Sequence, residues 1–249
     1  MGSTPVSRAD TRPAFYAARQ GRWRDWWTLL HPPYTAWHLG YVVIGACLAP
    51  EVRASRLVAT VLAFFLAVGI AAHAFDELQG HPLGTGIPGW ALVTACVAGL
   101  GGAVALGAVG VARDGPALVP FIVVGPLLVV AYNAELLGGV VHTDAGFALC
   151  WGAFPVLTAY VAQAGAVSLA AVLAALGASA LSYAQRALST PARQLRRRVR
   201  TVEGVVTTDA GDQTLLDRGR LLAPLERGLQ AMAWAVVLTA AAIALARLG

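Results

Sequence analysis

Apolar residues run along the chain in seven blocks, near 32–50, 55–77, 88–112, 116–137, 145–165, 167–187 and 228–247. A helix needs about 17–25 largely apolar residues to cross a bilayer, so each block predicts a transmembrane helix. The first block is the shortest, and the sixth, AVSLAAVLAALGASALSYAQRAL, is the clearest. Gly45, Gly99, Gly101, Gly102, Pro126, Gly152 and Pro155 lie inside the blocks, where small residues and prolines fit close helix contacts and kinks. The pattern predicts an all-α, polytopic membrane helix bundle of about seven transmembrane helices.

The polar intervals divide this bundle into an amino-terminal segment (1–31), a six-helix core (32–187), a basic loop (188–227) and a last helix (228–249). With seven crossings, one side of the membrane receives fourteen of the eighteen arginines, from Arg8 to Arg24 and from Arg186 to Arg227. The other side has Arg53, Arg56, Arg113 and Arg247. The positive-inside rule then places the amino terminus in the cytoplasm and the carboxyl terminus outside, in a plasma or inner membrane.

Composition strengthens this picture. The chain is 57% hydrophobic and 12% charged, about half the charge of an ordinary soluble domain. It has no lysine, which excludes a lysine Schiff base and a P-loop lysine. The net charge of +5 does not point to nucleic acid, because the arginine runs lack interleaved aromatics for base stacking. The basic loop reads first as a surface held at the anionic leaflet. Cys47, Cys96 and Cys150 lie in apolar blocks without CxxC spacing and read as small buried hydrophobes. The first 30 residues are polar and do not read as a secretory signal.

Ionisable side chains beside a bilayer are costly and mark function. Here they collect at block ends on the arginine-rich side. His31 and His38 open the first block, His73, Asp76 and Glu77 close the second, and His81 follows. Tyr132, Asn133 and Glu135 close the fourth, His142 and Asp144 lie in the next loop, and Ser182, Tyr183, Gln185 and Arg186 close the sixth. His73, Asp76 and Glu77, at i, i+3 and i+4, share one helix face. Asp144 reads as a helix N-cap, and His31, beside two prolines, as a structural or solvated residue.

The segments LLHPPYTAWHLGYVVIGACLA, AAHAFDELQGHPLGTGIPGWAL and AYNAELLGG, with WGAFPVL after them, resemble in order the UbiA superfamily of intramembrane prenyltransferases. The resemblance covers roughly residues 22–187. It implies a nine-helix bundle in which two aspartate motifs hold magnesium (Mg2+) against a prenyl diphosphate, whose allylic cation then alkylates a lipophilic acceptor. Residue by residue, the family's asparagine corresponds to Ala72 and its first aspartate to His73. The second aspartate is kept as Asp76, and the last acid corresponds to Gly80. The second motif falls on SYAQRALSTPARQ, which has no acid, and the chain offers seven helices.

Three functions follow as expectations. The first is an enzyme that transfers or cyclises a prenyl group from an isoprenoid diphosphate. In it Asp76 and Glu77 hold magnesium, Arg186 and Arg193 hold the diphosphate with Tyr183, Gln185 and His38 nearby, and Tyr132, Asn133 and Glu135 serve the acceptor or the cation. The second is a zinc or iron enzyme whose ligands come from His73, Asp76, Glu77, His81, Glu135 and His142, since imidazole favours transition metals. The third is a non-catalytic lipid- or quinone-binding subunit, completed by an oligomer or a partner subunit.

Overall fold

The computed structural model describes residues 12–19 and 21–249. Arg8 and the rest of residues 1–11, Gln20, and the side chain of Leu137 lie outside the described residues. The described chain forms α1 (Arg22–Leu29), α2 (Pro32–Cys47), α3 (Ala54–Leu78), α4 (Gly89–Asp114), α5 (Pro116–Asn133), α6 (Asp144–Ala164) and α7 (Leu169–Arg197). A hairpin of β1 (Gly204–Thr207) and β2 (Gln213–Leu216) then leads into α8 (Arg218–Leu248). The 188–227 interval is therefore largely ordered: α7 runs ten residues into it, and α8 starts before its end.

Local chemistry sets the boundaries. Pro32 and Pro33 open α2, where a missing N–H is harmless. Gly115, at φ 99°, ends α4, and Pro116 starts α5. Ser168 and Asp217 accept the Ala171 and Arg220 amides at 3.2 and 2.8 Å, capping α7 and α8. At α6 the cap is Thr143, which accepts from the Gly146 amide at 3.0 Å, rather than Asp144 as expected.

Five helices, α3, α4, α5, α6 and α8, are long and apolar enough to cross a membrane, where the sequence predicts seven. The protein is thus an all-α integral membrane bundle with a smaller span count. Two expected spans differ for separate reasons. α2 has 16 residues, short of the spanning length. α7 has 29 residues, but polar groups interrupt its apolar run. Its buried residues, Ala171, Ala175, Ala178, Ser182, Gln185, Ser189 and Ala192, alternate four- and three-residue steps along one face. That face begins as alanine and ends polar.

α2 is the hub, packed on α8, α6 and α3, while α7 lies against α6 and α8. Two glycines permit this closeness. A Cβ on Gly45 would stand 2.3 Å from the Val156 carbonyl oxygen, and one on Gly152 would stand 2.7 Å from that of Ala178. Gly99 has a similar contact with α3, whereas Gly101 faces open space. Both α3 and α6 widen to π-helical turns, at Phe65–Ala72 and Leu149–Ala153, a distortion frequent at functional sites. Only 11% of the apolar windows of α4 and α5 is buried, leaving faces of the kind that a bilayer covers.

Candidate functional site: a cationic cavity beside an apolar groove

The ends of α2, α3, α5 and α7 that carry the polar residues meet around a cavity of about 450 Å³. α2 brings Tyr34 and His38, with His31 just before it; α3 brings His73 and Asp76. α5 brings Tyr132 and Asn133, and α6 adds Phe147 and Trp151. α7 lines the opposite side with Gln185, Arg186, Arg193, Arg196 and Arg197.

Three of the histidines have a defined orientation. Nδ1 of His38 lies 3.0 Å from the Trp151 carbonyl, that of His73 lies 3.2 Å from Gly69, and that of His142 lies 3.0 Å from Tyr132. A carbonyl only accepts, so in each neutral ring Nδ1 carries the proton and Nε2 is left as a lone pair. The His31 ring meets the His73 ring edge to face at 4.2 Å. Burial, with the nearby His73, Arg197 and Arg193, holds His31 well below the usual imidazole pKa. Burial also raises the Tyr16 phenol far above its ordinary value.

The arginines differ in their partners. Arg196 makes a two-pronged ion pair with Glu226 of α8. Arg186 donates from Nε to Asp144 at 3.0 Å and lies over the Phe147 ring at 5.5 Å. Arg193 is half-buried, donates to the Thr190 hydroxyl at 3.3 Å, and has no carboxylate partner among the described residues. Burial and the charges of Arg186 and Arg197 lower its pKa. Arg197, exposed, donates to the Pro13 carbonyl.

Several expected site residues lie elsewhere. Glu77 is fully buried and turned from the cavity, accepting from the Leu83 and Thr85 amides at 2.9 and 2.8 Å and from the Thr85 hydroxyl at 2.8 Å. Its carboxylate organises the loop after α3, and His81 stands 3.6 Å from it outside the cavity. Tyr183 is 52% exposed and does not line the cavity. Glu135 sits at the rim, 3.9 Å from His142, at a left-handed φ of 48°. Asn133 donates back to the Val129 carbonyl. The six residues considered as metal ligands therefore split into separate groups. Among the described residues no three His, Cys, Asp or Glu side chains converge on one point.

Three buried polar atoms at the cavity lack a hydrogen-bond partner: His31 Nδ1, Tyr132 Oη and Gln185 Oε1. Such atoms cost about 1–3 kcal/mol each when left unsatisfied. Their convergence on one space was not visible in the sequence, which gave His31 a structural role and no role to Tyr16, Tyr34, Phe147 or Trp151.

A second space adjoins the first. An apolar groove of about 290 Å³ runs between α3, α4, α5 and α6, lined by Phe64, Leu100, Ile122, Val129 and Phe154. Val68 and Trp151 border both spaces. At the far end Arg56 donates to the Gln163 carbonyl at 2.9 Å and pairs with Asp114.

This architecture defines a helical integral membrane protein with a cationic, aromatic-lined cavity at one end of the bundle and an apolar groove behind it. No known protein family, curated protein or solved structure matches the chain.

Proposed function

We propose that the protein is a UbiA-like membrane enzyme acting on a prenyl diphosphate, transferring or cyclising the prenyl group. The observation that carries this reading is the shared border at Val68 and Trp151, which sets an arginine-lined cavity directly against an apolar groove. An amphiphile with an anionic head and a hydrocarbon tail matches both spaces at once. The arginines of α7 and of the 198–227 segment lie on the cavity side, and by the positive-inside rule we read that side as cytoplasmic.

In this reading the allylic C–O bond breaks and its electron pair leaves on the diphosphate, which the guanidinium groups of α7 stabilise. The rings of Tyr132 and Trp151, 5.7 Å apart, shield the allylic cation through their π faces. A nucleophilic atom of the acceptor bonds to the allylic carbon, and its proton passes to Nε2 of His38. The residues present do not fit the magnesium site of the resembled family. Asp76 is a single carboxylate facing the charges of Arg193 and Arg197, with no second acid converging on it among the described residues, and magnesium prefers octahedral oxygen coordination.

Farnesyl and geranylgeranyl diphosphates are expected to raise the melting temperature of the detergent-purified protein, and diphosphate release is expected with a lipophilic acceptor. Absence of both effects at every chain length would sink the reading. A lipid- or quinone-binding subunit is the second reading, favoured by the shortage of acidic groups at the cavity. It predicts thermal protection by prenyl lipids without diphosphate release.

A further inference from the structure

The cavity's unpaired charges are opposite in kind to those of a metal-centred diphosphate site. Its acids are few: Glu226 is held by Arg196, Glu135 is at the rim beside His142, and Asp76 makes no hydrogen bond among the described residues but feels the charges of Arg193 and Arg197. Its cations line it from successive turns of α7, half-buried Arg193 four residues before the exposed Arg197 and Arg186 two turns earlier. Like charges on one helix face repel: Arg186 and Arg197 both disfavour the charge of Arg193, and among the described residues only the Tyr34 and Tyr132 phenols and the Asp76 carboxylate act the other way.

The neutral groups fit the same ligand. His31 and Tyr132 are 8% and 6% exposed, and their unpartnered Nδ1 and Oη atoms lie at the cavity. Both can donate to an oxyanion. Gln185, 3% exposed, has its Oε1 unpartnered; that oxygen only accepts, so Gln185 is not counted among the donors to the anion. Guanidinium groups pair with phosphate oxygens through two parallel N–H bonds. The set therefore supplies both compensating charge and directed donors, the two services a divalent ion would otherwise provide.

We propose that the anionic head of the ligand, a diphosphate or phosphate monoester, is bound by Arg193 and Arg197 with His31 and Tyr132 as neutral donors, without a divalent metal ion. This rests on the prenyl-diphosphate reading for its tail but not for its charge chemistry. Arg186 takes no direct part, because Asp144 and Phe147 hold it; it fixes the position of the α7 face against α6.

The test is a thermal-shift titration of the full-length protein in detergent with farnesyl diphosphate, once in excess EDTA and once in magnesium. Protection should persist in EDTA. Its midpoint concentration should rise at least tenfold in Arg193→Gln and less in Arg197→Gln, an exposed position whose replacement leaves folding intact. Inorganic pyrophosphate should protect at higher concentration with the same sensitivity to both variants. Protection only with magnesium overturns the proposal and leaves the enzyme reading standing. Protection in EDTA that survives both substitutions also overturns it. No protection in either buffer overturns the proposal and the reading together.

Discussion

The imidazoles of His31, just before α2, and His73, near the end of α3, meet edge to face with centroids 4.2 Å apart. His31 adopts a left-handed φ of 46° immediately before two prolines, and its burial favours the neutral ring. An unfolded imidazole titrates near pH 6.5, so below that pH the unfolded chain binds a proton that the folded chain resists. The stability present above about pH 6.5 is therefore lost as pH falls. Melting temperatures between pH 5 and 8 should show this acid limb, and His31→Gln should make it shallower without abolishing it.

Glu77 and Asp76 are neighbours with different tasks. Removing the carboxylate in Glu77→Ala strands the amides of Leu83 and Thr85, a loss of roughly 2–4 kcal/mol in denaturation experiments. Asp76→Asn should leave stability nearly unchanged and alter ligand response. Equal destabilisation by both would contradict the separation.

Arg196 and Glu226 tie the ends of α7 and α8 together, with side chains 7% and 13% exposed. Glu226→Ala should lower stability by about 2–3 kcal/mol, as for a largely buried hydrogen-bonded ion pair. A Glu226→Gln variant that keeps one hydrogen bond should lose less.

At Gly45 the obstruction to a side chain is backbone, the Val156 carbonyl on α6. Even Gly45→Ala should force α2 and α6 apart, at about 1–3 kcal/mol. Gly101→Ala, in open space, is the control and should be neutral in the same melt.

Val68 borders both spaces, so Val68→Phe should obstruct a tail that passes from one to the other. Affinity for geranylgeranyl diphosphate should fall more than that for pyrophosphate. Equal losses for both ligands would show that the groove does not receive the tail.

The polar ends of apolar blocks were legible because hydrophobic surroundings make a lone His73, Tyr132 or Arg186 conspicuous. Their gathering around one space follows from alternating helix directions, which block lengths alone suggest. Partner choice was not legible. Glu77 shares a helical face with His73 by spacing, but its carboxylate turns toward amides that only the folded 78–88 loop presents. Arg186 was expected to face a ligand, whereas Asp144, displaced from the capping role by Thr143, engages it. The count of spans failed at α7 because the residues that make its inner face useful, Ser182, Gln185 and Ser189, also dilute its apolarity. Tyr16 gave no periodic signal, lying outside every hydrophobic block, and His31, at the edge of the first block, gave none of its burial.

The ribbon between α7 and α8 has a practical consequence. β1 and β2 pair with each other, from Gly204 opposite Leu216 to Thr207 opposite Gln213, and their turn at Thr208–Asp212 is exposed. α8, meanwhile, is lodged against α2 and α7 along its own length. Exposed turns of this kind tolerate cleavage and insertion. The gene can therefore be split at Ala210, and its two products, expressed together, should reassemble by helix packing into a protein whose last helix is supplied in trans.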